Sequence, residues 1–155
     1  MDMRVTTAKG LTVRVRQFEK ADINRVLEIE EASFLEGDAL LYLELHDEWP
    51  RGFLVAEHEG IVIGFIVLIL TPEGEGRIFA LAIDARYRGR GVGRILLKAA
   101  FNILRKQKIG YVRLEVRLSN YVAQQLYRST GFMEVGLVPY YYKDGEAAIV
   151  MRKVL

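Results

Sequence analysis

The stretch at positions 88–93 reads Arg88-Gly89-Arg90-Gly91-Val92-Gly93, and an apolar run at 78–83 precedes it. A helical pattern follows at once, so the run predicts a glycine-rich turn between a strand and a helix. Glycines let backbone N–H groups come close to a ligand, and a helix start adds unpaired N–H groups and a positive dipole end. Two arginines add charge. The pattern predicts a phosphate cradle, with pyrophosphate as the favoured ligand.

Length and composition favour one soluble globular domain. The chain has 155 residues, of which 51% are hydrophobic and 27% charged. A formal net charge of +2 is too small to indicate nucleic-acid binding by itself. Cysteine is absent, which excludes a disulfide framework, a thiolate nucleophile and a cysteine zinc site.

The hydropathy pattern indicates neither a membrane helix nor a signal peptide. The longest apolar run, at 61–70, has about half of the ~20 residues that a membrane helix needs. The first residues, Met1-Asp2-Met3-Arg4, lack the basic-then-apolar pattern of a signal peptide. We therefore expect a cytoplasmic protein that binds neither membrane nor nucleic acid.

Hydrophobic periodicity predicts an α+β chain. Residues 1–10 are expected to form a flexible leader and residues 11–155 a single domain. Strands are predicted at 11–16, 53–58, 61–70, 77–84, 111–117, 132–138 and 147–154. Helices are predicted at about 21–34, 39–47, from Val92 to a stop at Gly110, and from a Ser119 or Asn120 cap through Thr130. Glu30 is the single polar residue on the apolar face of the first helix.

Two common phosphate-binding motifs do not fit the glycine-rich turn. The dinucleotide fingerprint needs Gly-x-Gly-x-x-Gly, and a P-loop needs a lysine followed by a hydroxyl residue. Neither pattern is present. The remaining alternative is a plain glycine-rich turn with basic decoration, and three glycines with two arginines in six residues favour the cradle.

The same turn matches the Arg/Gln-x-x-Gly-x-Gly/Ala signature of the GNAT superfamily of acetyl-CoA-dependent N-acetyltransferases. A second block, Leu114-Glu-Val-Arg-Leu-Ser-Asn120 followed by Leu126-Tyr-Arg-Ser-Thr-Gly-Phe132, resembles the RimI type of protein N-terminal acetyltransferase. The tail at 141–151 is also similar to that group. The likeness is continuous from about Gly60 to the end and weaker over 11–59.

This resemblance implies a single-domain GNAT fold, with a central twisted, mixed, mostly antiparallel sheet of about seven strands and four flanking helices. It implies that acetyl-CoA wedges between two splayed strands. Backbone groups of Leu81 and Ile83 would pair with the pantetheine arm and the thioester. The amides of Arg88, Gly89, Arg90, Gly91, Val92 and Gly93 would hold the pyrophosphate, and Asn120 would reach the CoA arm.

The resemblance also assigns proton transfer to Glu115 as base and Tyr127 as acid, with direct attack of the amine in a ternary complex. Strand alternation turns Glu115 away from the apolar face of its strand, alongside Arg113 and Arg117. The alternatives are a solvated strand carboxylate for Glu115 and a core tyrosine for Tyr127. A phenol is a reasonable proton donor to a thiolate.

For the acceptor, the resemblance implies that Tyr141 and Tyr142 line a peptide groove and that Phe34, in the 34–38 segment, lies on its opposite lip. An aromatic cluster in a β-hairpin is the alternative for the tyrosines. Glu36 and Asp38 are acids that could attract an ammonium. Ala147 stands where the family commonly has aspartate, which puts the hydrogen bonds of this loop in doubt.

The predicted activity is therefore transfer of acetyl from acetyl-CoA to a protein N-terminus. A small amine such as a polyamine or an antibiotic is the alternative acceptor, and a non-catalytic acyl-CoA-binding module is the alternative class. His46 and His58 belong to no motif, so a metal site and a Ser-His-Asp triad are not expected. The sequence leaves the oligomeric state, monomer or dimer, open.

Overall fold

A computed structural model describes residues 1–32 and 38–155, which form eight strands and four helices. The strands are β1 (Asp2–Thr6), β2 (Thr12–Gln17), β3 (Phe53–His58), β4 (Ile61–Leu70), β5 (Gly76–Ile83), β6 (Tyr111–Arg117), β7 (Met133–Val138) and β8 (Ala148–Val154). The helices are α1 (Ile23–Ala32), α2 (Ala39–Glu48), α3 (Val92–Lys106) and α4 (Tyr121–Ser129). The predicted α+β class is confirmed, with eight strands in place of about seven.

The chain divides into two compact units. The first unit comprises Met1–Ile69 and Phe79–Ile103, and the second comprises Leu70–Ile78 and Leu104–Leu155. That residues 11–155 act as one domain stays a prediction.

In the first unit the strands lie in the order β1-β2-β3-β4-β5. The pairs β1/β2, β2/β3 and β3/β4 are antiparallel. Aromatic side chains fill the core between these strands and helices α1 and α2, with Phe18 stacked on Phe53 at 4.1 Å and Tyr42 edge-on to Phe65 at 5.7 Å. Apolar burial of this kind supplies most of the stability of such a core.

The expected flexible leader is wrong for residues 2–6, because they form strand β1. Met3 lies opposite Val15 and Val5 opposite Val13, and Arg14 forms an ion pair with Asp2. The chain then turns back at 7–11, where Gly10 has a φ of +84°. The alternation of Met3 and Val5 with polar residues carried this signal, but the run was too short to stand out without its partner strand.

In the second unit the strand order is β5-β6-β8-β7. Strands β5 and β6 are parallel, whereas β6/β8 and β7/β8 are antiparallel, so the predicted mixed, mostly antiparallel pairing is confirmed. Gly76 starts β5 against α3, because a Cβ there would lie 2.7 Å from Leu104 Cδ2. The close approach explains why this position takes glycine.

The helix boundaries mostly follow the sequence signals. Asn120 caps α4 by accepting a hydrogen bond from Ala123 N at 3.2 Å, and Gly131, with a φ of +103°, follows its end. The stop predicted at Gly110 for α3 is wrong. Helix α3 ends at Lys106, and Lys108 takes the left-handed conformation with a φ of +59° while Ile109 N donates to Leu104 O.

Candidate active site

The glycine-rich turn lies in the first unit between β5 and α3. Gly89 and Gly91 both have positive φ, +71° and +92°, which L side chains rarely adopt. Ile95 N donates to Gly91 O at 3.2 Å, so α3 begins directly after the second of these glycines. The turn therefore delivers the unpaired N–H groups of a helix start, as the sequence predicted.

The turn is supported by the loop that joins β1 and β2. Lys9 Nζ donates to Gly89 O at 2.7 Å, and a Cβ on Gly91 would lie 3.1 Å from Thr7 Cβ. Thr7 is itself buried, and its hydroxyl accepts from Leu11 N at 3.1 Å. Sequence reasoning missed this support because it treated residues 1–10 as a leader.

The two arginines of the turn make contacts within the protein. Arg88 Nε donates to Ile83 O at 3.1 Å, and the Arg90 guanidinium lies 5.7 Å from the centre of the Tyr87 ring. Both residues are exposed. They keep positive charge at the start of α3, where the helix dipole also favours an anion.

Asp84 holds the segment before the turn and was not predicted. Its carboxylate caps the short 3₁₀ turn Ala85–Tyr87, accepting from Arg86 N at 2.9 Å. Hydrogen bonds from the Arg86 side chain, and further ones from the Arg86 backbone and from Arg25, hold the pKa of Asp84 well below its usual range. Asp84 N also donates to Ile63 O at 2.7 Å, which ties the end of β5 to β4.

Leu81 and Ile83 share one half-buried face of β5 with Phe79. The opposite face carries the buried Ala80 and Ala82. Their assignment to the pantetheine arm concerns main-chain groups and stays a prediction.

The second unit contains the carboxylate assigned as base. Glu115 sits at the middle of β6, opposite Val150 of β8, and its side chain is 11% exposed. Burial alternates along β6, with Val112, Leu114 and Val116 buried and the residues between them half-buried. The predicted orientation of Glu115 away from the apolar face is confirmed.

Arg77 brings Glu115 together with Tyr141. Its Nε donates to Glu115 Oε2 at 2.9 Å, and its Nη2 donates to the Tyr141 hydroxyl at 2.9 Å. Sequence reasoning missed Arg77. The available signal was a lone cation on the strand face that otherwise carries Phe79, Leu81 and Ile83.

Tyr127 lies on α4 and is buried, 7% exposed, with its ring 5.6 Å from that of Phe132 in an edge-on contact. Burial, with a smaller contribution from Tyr142, raises the pKa of the Tyr127 phenol well above its ordinary value. The hydroxyl therefore stays protonated at neutral pH. It is a donor in a dry surrounding and a weaker acid than an exposed phenol.

Tyr142 interacts electrostatically both with Tyr127 and with Glu115. Burial is the main cause that raises the pKa of Tyr142 to about 12, with Tyr141 and Glu115 among the smaller contributors. The Arg117 guanidinium lies 4.1 Å from the centre of the Tyr142 ring, and the rings of Tyr141 and Tyr142 are 5.0 Å apart. The predicted pair of loop tyrosines thus lies beside Glu115.

Arg117 also organises the loop that carries these tyrosines. Its Nη1 contacts Asp144 and Glu146, each at 2.9 Å, and Ser119 N donates to Glu146 Oε2 at 2.8 Å. At Ala147 the main chain takes part, because Leu118 N donates to its carbonyl at 3.1 Å. The loop's hydrogen bonds, in doubt without an aspartate at 147, are made by these groups.

Two amide side chains fix the start of α4. The Asn120 carbonyl oxygen caps the helix, so its amide nitrogen is the group left to meet a ligand. Gln124 is buried, and its Nε2 donates to Arg117 O at 3.0 Å and Leu118 O at 2.9 Å. Gln124 was not predicted, because its partners are main-chain atoms.

Asp38, His46 and His58 do not belong to this group. Phe34 and Glu36 lie outside the described residues. Asp38 caps α2, accepting from Leu41 N at 2.8 Å, which accounts for its carboxylate without an ammonium partner. His46 packs edge-on against Phe18, and His58 Nδ1 lies 2.9 Å from Thr12 O, so both histidines have structural surroundings.

Across residues 1–32 and 38–155, every helix is too short or too polar to cross a bilayer. In the same ranges, no three side chains of the metal-binding types come together.

Comparisons with known proteins agree with this arrangement. The sequence profile of the Acetyltransferase (GNAT) family matches residues 23–132. An uncharacterized N-acetyltransferase of Methanocaldococcus jannaschii is 39% identical over 144 residues, 90% of each chain. The N-alpha-acetyltransferase RimI of Mycobacterium tuberculosis is 32% identical, with 95% of this chain and 96% of the relative covered. The crystal structure of Ard1 from Thermoplasma volcanium is 38% identical with a TM-score of 0.89, covering 92% of this chain and 97% of that one.

Proposed function

The chain belongs to the GNAT acetyltransferase family, and from that premise we propose that it acetylates the N-terminal α-amino group of other proteins. As a member of this family it is an acyltransferase that uses acetyl-CoA. The observation that carries the choice of acceptor is the group of Glu115, Tyr141 and Tyr142, a carboxylate beside two phenols. The relatives named N-alpha-acetyltransferase support the same choice.

The glycine-rich turn fits the diphosphate of acetyl-CoA. A Cβ on Gly89 would point into open space, where an approaching anion would meet it, and a Cβ on Gly91 would strike Thr7. We assign the main-chain N–H groups of 88–93 to the diphosphate, the main chain of Leu81 and Ile83 to the pantetheine arm, and the Asn120 amide to the same arm.

Acetyl-CoA supplies an acetyl group activated as a thioester. We assign to Glu115 the proton that the acceptor ammonium loses before its nitrogen attacks, directly or through one water. An N-terminal amine has an unperturbed pKa near ~8, so a carboxylate that works through water suffices. A lysine ammonium is about two pKa units more basic and would ask more of the same base.

We assign Tyr127 to the departing sulfur. As the C–N bond forms and the C–S bond breaks, negative charge collects on sulfur, and a protonated phenol donates a hydrogen bond to it. The raised pKa of Tyr127 keeps the phenol protonated at neutral pH, so its hydroxyl is present as a hydrogen-bond donor. It also favours stabilising the charge over early proton release.

Tyr141 and Tyr142 are assigned to the backbone of the acceptor peptide. Tyr141 is 40% exposed, so its ring offers apolar area to a ligand while its hydroxyl stays held by Arg77. The ion pairs of Arg117 with Asp144 and Glu146 restrain the loop. A preorganised loop binds a flexible peptide at a lower entropic cost.

The test is to incubate the enzyme with acetyl-CoA and a library of peptides that vary at the first two positions, and to locate acetyl groups by mass spectrometry. We expect modification of the α-amine, in a subset set by the first residues. The matched control uses the same peptides with a blocked α-amine and an internal lysine, and a parallel panel holds polyamines and amino sugars. Acetylation confined to lysine or to the small amines would overturn the assigned acceptor.

A further inference from the structure

We propose that Arg77 is a positioning residue that sets the distance between the base and the acceptor-binding loop. The inference rests on the proposed function, because it takes Glu115 as base and Tyr141 as an acceptor contact. The observation behind it is one guanidinium with two separate bonds, Nε to Glu115 and Nη2 to the Tyr141 hydroxyl, both 2.9 Å.

The shape of the guanidinium makes the link rigid. Its nitrogens are fixed in one plane, so two bonds from different nitrogens fix the relative places of the two partners. The side chains of Arg77 and Glu115 are 24% and 11% exposed, so water screens this charge-assisted bond less than a surface pair. Carboxylate and phenol are thereby held as one unit.

Arg77 comes from a different strand than either partner. On β5 it lies opposite Arg113 of the parallel strand β6, two residues before Glu115. Tyr141 follows β7. The bridge therefore ties the loop after β7 to the middle of β6, whereas the loop's contacts through Arg117 tie it to the end of that strand.

Arg77 acts through its partners and not on the substrate's proton. Arginine stays protonated in proteins, so it serves neither as base nor as acid here. Its bond occupies Oε2 of Glu115, and we assign the second oxygen, Oε1, to the acceptor amine or its bridging water. The peptide contact at Tyr141 and the proton acceptor at Oε1 are then placed by the same group.

The direct consequence is a coupling between acceptor binding and turnover. A lysine at position 77 keeps the charge but has one ammonium on a flexible chain, so it cannot hold both partners in a plane. We expect Arg77→Lys to lower kcat about tenfold and to raise the acceptor KM severalfold, since misplaced reacting groups lose rate steeply. The Kd for CoA, measured by calorimetry, stays unchanged.

Arg152 provides the matched control in the same unit. It forms an ion pair with Glu75, in the turn before β5, and lies 3.7 Å from the centre of the Tyr111 ring on β6, so it is also an arginine with two partners from different segments. Arg152→Lys should leave kcat and the acceptor KM within about twofold of the parent. Equal losses from both substitutions would show a general effect on the sheet and overturn the proposal.

Two double-mutant cycles separate the arms of the bridge. In a Glu115→Gln background, Arg77→Lys should cause little further loss of kcat. In a Tyr141→Phe background, it should cause little further rise in the acceptor KM, and binding of the acceptor peptide to the CoA-saturated enzyme gives the same information without turnover. Fully additive effects in both cycles would overturn the positioning role.

The cycles use whichever amine the parent enzyme acetylates. If that amine is a polyamine and not a peptide, the proposed acceptor fails while the kcat arm through Glu115 still decides the role of Arg77. If peptides are acetylated and the effects are additive, the acceptor stands and Arg77 is a structural residue. The two failures are thus distinct.

Discussion

The glycine-rich turn of the first unit and the Glu115–Arg77–Tyr141 bridge of the second unit are built in opposite ways. The geometry of the turn depends on main-chain conformation, namely the positive φ of Gly89 and Gly91 and the start of α3. In the bridge, side chains from three segments meet through hydrogen bonds to one guanidinium.

The difference teaches which changes each region tolerates. A turn that binds through main-chain N–H groups tolerates most changes of side-chain chemistry. It is distorted when a residue with a Cβ replaces a glycine at positive φ. A side-chain cluster keeps its backbone under substitution and loses function one atom at a time. The expected effects below follow from this contrast.

The largest effect is expected at another side chain of the second unit, that of Tyr127. Tyr127→Phe removes one hydroxyl and keeps the ring against Phe132, so folding and CoA affinity should hold. Without the donor to sulfur, kcat should fall about a hundredfold. Steady-state kinetics and calorimetry with CoA measure both quantities.

Tyr140→Phe is the matched control for Tyr127→Phe, because Tyr140 is 84% exposed and is assigned no role. Unchanged turnover in Tyr127→Phe would remove Tyr127 from the reaction. A loss of CoA affinity as large as the loss of kcat would make it a structural residue of the core.

The main-chain region is tested at its tighter glycine. Gly91→Val places a branched side chain at a φ of +92° and a Cβ 3.1 Å from Thr7 Cβ, so the turn must shift. A left-handed residue alone costs roughly 1–2 kcal/mol. We expect the Kd for CoA to rise about tenfold or more, with kcat at saturation nearly retained.

Gly89→Ala separates strain from contact. Gly89 shares the positive φ, but a Cβ there has no neighbour within 4 Å, so we expect a smaller rise in Kd. If both variants bind CoA as the parent does, the main-chain cradle is refuted.

The smallest effect concerns Asp84, whose carboxylate caps the segment before the turn. The pKa of Asp84 is lowered in the folded state, so its ionised form favours folding. Its contribution is complete above the ordinary pKa of about 4 and is lost as pH falls below that value. Asp84→Asn should remove about 1 kcal/mol of that pH-dependent stability. The expected value is small because solvent screens the ion pair with Arg86, whose side chain is largely exposed.

Urea unfolding at neutral pH and near pH 3 measures this change. Asp144→Asn, in the tyrosine loop, is the control from the other region, because the pKa of Asp144 is also lowered but its side chain is 61% exposed. Equal pH slopes for Asp84→Asn and the parent would show that the Asp84 pairs contribute nothing.

The same contrast explains what the sequence could predict. The glycines at 89 and 91 and the cap at Asn120 act through neighbours in the chain, and each was identified. Strand alternation correctly oriented Glu115. These features depend on local rules of conformation and period.

Features that depend on distant partners were missed. Arg77 acquires its place only when β5 pairs with β6 and the tyrosine loop returns beside them. Strand β1 forms only by pairing with β2. Gln124 donates to main-chain carbonyls, which every sequence contains, so its partners give no sequence signal. The α3 stop was misplaced because Lys108, not a glycine, took the left-handed position.

The hairpin formed by β1 and β2 has a practical consequence for handling the protein. Asp2 lies opposite Arg16, whereas Lys9 touches Gly89 at the other end of the hairpin. Affinity tags or fusion partners attached before Asp2 therefore begin at the end of the hairpin that is far from Lys9. Proteolytic cleavage past Lys9 would instead remove the contact that supports the glycine-rich turn, which we propose holds the diphosphate of acetyl-CoA. Cleaved material would then bind the cofactor weakly and be mistaken for an enzyme of low intrinsic affinity.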